Sequence, residues 1–149
     1  MGKISVCIAT YNGEKFIYDQ LQSILDQLLE TDEIIVSDNY STDKTIDIIK
    51  SINDSRIKIY FLKKKDLIKN FENALFHAKG DYIFLSDQDD IWLPNKIKIM
   101  LKKLNSHDLI VSDCIVVNRD LETIEPSFYY INKSKSGFLK NIIRNSYLG

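Results

Sequence analysis

A chain of 149 residues, 44% hydrophobic and 28% charged, is long enough to bury one core and too short for two, and its balance excludes disordered, collagen-like and disulfide-scaffold proteins. Twenty basic residues against twenty-one acidic leave a net charge of -1, so nucleic acid meets no bulk attraction and is not an expected partner. The only cysteines, Cys7 and Cys114, sit in apolar runs as in a reducing compartment, and no apolar stretch approaches the roughly 20 residues of a spanning helix, so the expected location is cytoplasmic.

Apolar periodicity predicts alternating strands and helices, the pattern of an α/β protein built on a mostly parallel, Rossmann-like sheet flanked by helices. Residues 4–9 are nearly continuously apolar, as a strand covered on both faces should be, and Asn12-Gly13 marks a turn after them. Helical spacing follows over 15–29, then a strand at 33–37, a polar turn at 38–43 and a helix over 44–52. A third strand is expected at 57–62, a third helix at 66–78 with Gly80 as its C-cap glycine, and a fourth strand at 81–85. Ser86-Asp87-Gln88-Asp89-Asp90 then precedes Trp92, Pro94 and a helix over 95–104. A fifth strand is expected at 108–117, a turn at 118–120 and a short helix at 137–145; no repeat, linker or boundary interrupts a single domain over 1–149.

In open α/β sheets ligands bind beyond the carboxyl ends of the strands, which singles out Thr10-Tyr11-Asn12, Asp38-Asn39, the region of Lys63 and the Asp87–Asp90 cluster. Carboxylates converging at one sheet edge repel one another unless a cation neutralises them, and a D-x-D pair can hold one hard divalent ion while leaving positions for water and phosphate. Mg2+ or Mn2+ is therefore expected at Asp87 and Asp89. With five glycines and ATYNGEKF after the first strand, no Gly-rich phosphate loop is present. An EF-hand fails because Lys98 stands where the bidentate Glu belongs, and neither His77 nor His107 has a partner at zinc spacing.

SVCIATYNGEKFI, EIIVSDNYSTDKT and GDYIFLSDQDDIWLPNK, in this order and spacing, resemble the three N-terminal signatures of the family 2 glycosyltransferases, which have the GT-A fold. NFENALFHAKGDYIFLSDQDDIW resembles in particular bacterial enzymes of rhamnosyltransferase and polysaccharide type. The resemblance implies a nucleotide-diphosphate sugar as donor, a polysaccharide or lipid-linked glycan as acceptor, and metal-assisted, inverting transfer in bacterial cell-surface glycan synthesis. It implies that Thr10 and Tyr11 hold the base, that Asp38 reads it, and that Asp87 and Asp89 serve the ribose, diphosphate and metal. Asp89 is the leading metal ligand, with Asp90 and Trp92 shaping the sugar pocket. Two departures stand out: DNYSTD replaces the usual DDGSTD, and the stretch after the third strand lacks the usual Gly and Arg, for which Lys69 with Asn70 would stand in.

Family members are longer, and the resemblance implies that the general base lies beyond residue 149, so the chain reads as the truncated, donor-binding part of the enzyme. A non-catalytic nucleotide-binding or interaction fragment is the alternative; a nucleotidyltransferase would carry the Gly-rich loop. Plainer readings also stand beside each site residue: a solvated, helix-capping turn for Asp87, Asp89 and Asp90, an Asx turn for Asp38, rim packing for Tyr11, core burial for Trp92 and a solvated strand end for Lys63, Lys64 and Lys65. After Glu125 the chain is basic and aromatic, which suits either an anionic membrane surface or a helix whose apolar face invites a homodimer.

Overall fold

The computed structural model describes residues 2–63 and 65–133. Four strands, β1 (Ile4–Thr10), β2 (Glu33–Asp38), β3 (Ile57–Phe61) and β4 (Tyr82–Ser86), pair in the order β3-β2-β1-β4, every pair parallel. Parallel neighbours need crossovers, which α1 (Ile17–Leu25), α2 (Thr45–Ile52) and α3 (Leu67–His77) supply. All residues of the central strands β1 and β2 are buried, as their unbroken apolar runs require. Alternation along β1 puts Cys7 against Ile35 and Ala74 of α3 on one face. It turns Ile8 to the other face, level with Ser86, whose hydroxyl is reached by Gln20 of α1. On the edge strand β4, Ile83 and Leu85 remain exposed.

The helices begin near the expected positions, and all but α1 end within a residue of them. The pattern predicts α1 over 15–29, yet it stops at Leu25 because the Arg56 guanidinium donates to the carbonyls of Leu25 and Leu28 at 3.1 and 2.8 Å. Asp54 holds that guanidinium from the other side at 2.7 Å. Gly80 is not the C-cap of α3, which closes on extended Ala78. Its place is dictated by packing, since a Cβ there would lie 2.5 Å from the backbone nitrogen of Ser5.

The chain divides into two compact units, residues 1–99 and 100–149, with α4 (Lys96–Leu104) crossing the division. In the second unit the fifth strand is far shorter than 108–117. Only Val116–Val117 (β5) is strand, paired antiparallel with Thr123–Glu125 (β6) in a separate two-stranded ribbon, followed by α5 (Phe128–Ile131). An alternating run specifies a face but not a partner, and here the partner is the adjacent segment across the 118–121 turn. The helix expected at 137–145 lies outside the described residues. No helix among the described residues is long and apolar enough to cross a membrane.

Candidate functional site

The four loops at the carboxyl edge are built mostly from polar residues that hold one another's backbone. Asp38, at the end of β2, is buried; its carboxylate accepts from the Thr10 hydroxyl at 2.8 Å, the Ser41 hydroxyl at 2.5 Å and the Ser41 N–H at 2.8 Å. Asn12, left-handed at φ 50°, donates its N–H to the Ser41 hydroxyl and accepts from the Thr42 N–H, both at 2.8 Å. The N–H groups of Gly13 and Glu14 go to Thr45 and Asp43, while the Glu14 carboxylate accepts the Lys44 N–H. Burial opposes ionisation of Asp43, but the bonds from Thr45 and Glu14 outweigh it and hold its carboxyl below the ordinary value. Thus the loops after β1 and β2 form one cross-braced unit.

Against this unit lies a pocket of about 310 Å3. Thr10 and Tyr11 enter it from the end of β1 and Asn39 from the end of β2. Lys65 and Asp66 come from the β3–α3 connection, Asn70 from the first turn of α3, and Asp87, Gln88 and Asp89 from the loop after β4. Buried Asn70 joins these parts, donating to the Thr10 carbonyl at 3.1 Å and accepting from the Ser37 hydroxyl at 2.6 Å. The Lys65 ammonium donates to the Tyr11 hydroxyl and stands 4.2 Å from the centroid of its ring.

The acidic loop differs electrostatically from the rest of the edge. Among the described residues no hydrogen bond or ion pair reaches the carboxylate of Asp87 or Asp89. Burial and the charges of Asp90 and Asp89 push the Asp87 carboxyl up. The protein atoms crowding Asp90, together with the charge of Asp89, push that carboxyl up as well, against the pull of Lys96. Asp87 and Asp89, repelling and without a hydrogen-bonding or ion-pair partner among the described residues, are carboxylates whose charge a cation would offset. No group of three or more His, Cys, Asp or Glu that could hold a metal ion is present among the described residues, so Asp87 and Asp89 would supply at most two protein carboxylates to a hard divalent ion.

Of the residues to which the sequence assigns a role, the pocket gathers Thr10, Tyr11, Asn70, Asp87 and Asp89, and not Asp38, Lys69, Asp90 or Trp92. Asp38 lies just behind the lining, in the Asx turn and on Thr10. Lys69 pairs with Glu72 at 2.6 Å on the exposed side of α3. Trp92 is buried against Phe84, and its indole N–H, like the Gln20 amide, donates to the Ser86 hydroxyl, a pillar beneath the acidic loop. Asp90 lies outside the lining. Sequence reasoning names Asn39 and Gln88 only as members of strand-end clusters, without a role, reads Lys65 first as a solvated strand end and passes over Asp66; position after a strand end does not say which way a side chain turns.

A model of the family described as glycosyl transferase family 2 matches residues 5–146. The chain is 38% identical over 115 residues to the UDP-Glc:alpha-D-GlcNAc-diphosphoundecaprenol beta-1,3-glucosyltransferase WfaP of Escherichia coli, covering 75% of this chain and 45% of that protein. It is 36% identical to the dTDP-rhamnosyl transferase RfbG of Shigella flexneri, over 74% of this chain and 37% of that one. Among solved structures, S. aureus TarS 1-349 in complex with UDP-GlcNAc superposes with a TM-score of 0.61 at 27% identity, over 77% of this chain and 33% of that one. The chain thus spans less than half the length of each.

Proposed function

The chain belongs to glycosyl transferase family 2 and has the GT-A fold, and from this we propose that it is the donor-binding part of a bacterial transferase that moves a sugar from a nucleotide diphosphate onto a polysaccharide or lipid-linked acceptor. One observation carries the reading: two carboxylates with no partner among the described residues, Asp87 and Asp89, share a pocket with the aromatic ring of Tyr11 and the ammonium of Lys65. An aromatic face suits a base, and an ammonium suits a diphosphate.

In this reading Tyr11 stacks on the base while Thr10 and Asp38 back it from the ends of β1 and β2. Asp87 and Asp89 would hold Mg2+ or Mn2+, which when bound offsets the charge of the diphosphate leaving group. Asp90 and Trp92 stand on the sugar side, Trp92 by supporting the loop. Lys65 takes the diphosphate contact for which Lys69 is the sequence candidate, because Lys69 is turned to Glu72. Inverting transfer needs a carboxylate that reaches the acceptor hydroxyl, and the relatives' greater length leaves room for that base beyond residue 149. Lipid-linked or polysaccharide acceptors would bring the protein to the inner face of the membrane, with the basic residues after 125 as the contact; homodimerisation through the same segment is the competing use.

The test is a thermal-shift panel of UDP, GDP, CDP and dTDP, each with and without Mn2+ or Mg2+, on the wild type and Asp89→Asn. A diphosphate at about 100 times its dissociation constant stabilises by roughly 2.7 kcal/mol, a shift of about 5 °C for a domain of this size. One diphosphate should shift the wild type only with metal and leave Asp89→Asn unmoved. A folded wild type that responds to none favours the interaction-fragment reading instead.

A further inference from the structure

We propose that Gln88, the residue between the two acidic side chains, is a positioning residue for Tyr11, so that the acidic loop also sets the base-binding end of the pocket. The inference rests on the donor-site reading above. It starts from the end of the sheet: β4 pairs with β1 only as far as Ser86 opposite Ile8, so the β4 side of β1 has no strand beyond that point. The Gln88 side-chain amide takes the place of the missing rung. Its Oε1 accepts the Tyr11 N–H at 3.0 Å and its Nε2 donates to the Tyr11 carbonyl at 3.2 Å. At Tyr11, in the bend just past β1, the N–H and C=O both face Gln88, so one primary amide satisfies both.

The site is shaped to admit that amide. A Cβ at Gly13 would lie 2.5 Å from Gln88 Oε1 and 2.8 Å from its Cδ, so glycine keeps the space open. With its main chain pinned, Tyr11 keeps only its two side-chain torsions, and Lys65 contacts the ring. Gln88 itself is flanked in sequence by Asp87 and Asp89, so a displacement of the acidic loop carries the amide, and with it the main chain of Tyr11.

The probe separates the two ends of the donor. Whichever of UDP, GDP, CDP or dTDP binds the wild type best is titrated by calorimetry with Mn2+, beside inorganic pyrophosphate with Mn2+, against Gln88→Leu, Tyr11→Ala and the double variant. Gln88→Leu keeps the bulk and loses both bonds, so it should weaken the nucleotide about tenfold, as Tyr11→Ala does. The double variant should fall no more than about twofold below either single one, the mark of residues acting as a unit. Pyrophosphate should bind the wild type and Gln88→Leu equally, which loss of a merely structural brace would not allow. The inference is overturned if the wild type binds nucleotide and Gln88→Leu binds it equally well, if the losses add, or if pyrophosphate weakens in parallel. A wild type that binds none of the four nucleotides removes the donor-site reading and this inference together, a result distinct from failure of the inference alone.

Discussion

Asp38 and Asp87 flank the end of β1 and are put to opposite uses. Asp38 has Thr10 and Ser41 on its oxygens, so its charge is spent holding the loops, whereas Asp87 has burial and two neighbouring carboxylates and no donor. An acid whose carboxyl is raised on folding loses stability as pH climbs from its unfolded value through its folded one, because the fold disfavours the charged form. Asp87→Asn is therefore expected to raise Tm by a few °C at about pH 7, with the gain vanishing near pH 3 where both side chains are neutral, while metal-dependent nucleotide binding is lost. Calorimetry at the two pH values checks this, and an unchanged or lower Tm at neutral pH would contradict it. Cys7 shows the same burial effect without a function: burial first, and then the charge of Glu33, push its thiol up to about 11, which makes it inert.

At the scale of elements, most interiors and ends of the first four strands and helices were legible to within a residue or two, and the end of α1 was not. The apolar periods of α1, α2 and α3 place each helix on the sheet, yet the end of α1 depends on Arg56, which lies beyond the next strand and helix, and the connection after α3 on how close β1 passes. Gly80 looked like a helix cap by position, but it is needed because the backbone of Lys3, Ile4 and Ser5 leaves no room for a methyl group. Those atoms belong to a central strand and cannot yield cheaply. Gly80→Ala should cost about 2 kcal/mol, read as a lower urea midpoint with an unchanged slope. A midpoint equal to that of the wild type would mean that β1 shifts to accept the methyl group. Tyr40 offers a related case: left-handed at φ 57° where the family favours glycine, it packs its ring 5.6 Å from that of Phe61, a contact glycine would forgo.

Taken whole, the sheet separates two electrostatic regimes at its opposite edges. At the carboxyl edge Asp38 and Asp43 are hydrogen-bonded while Asp87 and Asp89 have no partner among the described residues; the amino edge satisfies its buried acid. Buried Glu33 accepts from Ser5 at 2.7 Å, Lys58 at 2.5 Å and the Lys79 N–H at 2.8 Å, with Lys3 at 3.1 Å. Burial alone would raise its carboxyl, but these partners outweigh it and hold it down at about 2. A carboxyl lowered on folding contributes stability above its unfolded value and loses it as pH falls, here from about 4.5 to about 2. Glu33→Gln should cost about 2–3 kcal/mol near neutrality, the low end for a broken buried pair because Lys3 and Lys58 regain water. It should also flatten the acid limb of the stability curve, and denaturant titrations at several pH values would reveal a limb as steep as that of the wild type if the network is unimportant.

Short apolar runs alternating with segments of 3.6 period were enough to order four strands and the helices between them, and three motifs following strand ends point to one edge of the sheet. These are local, one-dimensional properties, because hydrophobic burial is non-directional and acts on patterns of residue type. Which carboxylate is spent and which is open, why Lys65 and not Lys69 turns to the pocket, and how Gln88 reaches Tyr11 were settled by folding. Hydrogen bonds and charges are directional and short-ranged, so their partners exist only once loops distant in sequence stand side by side.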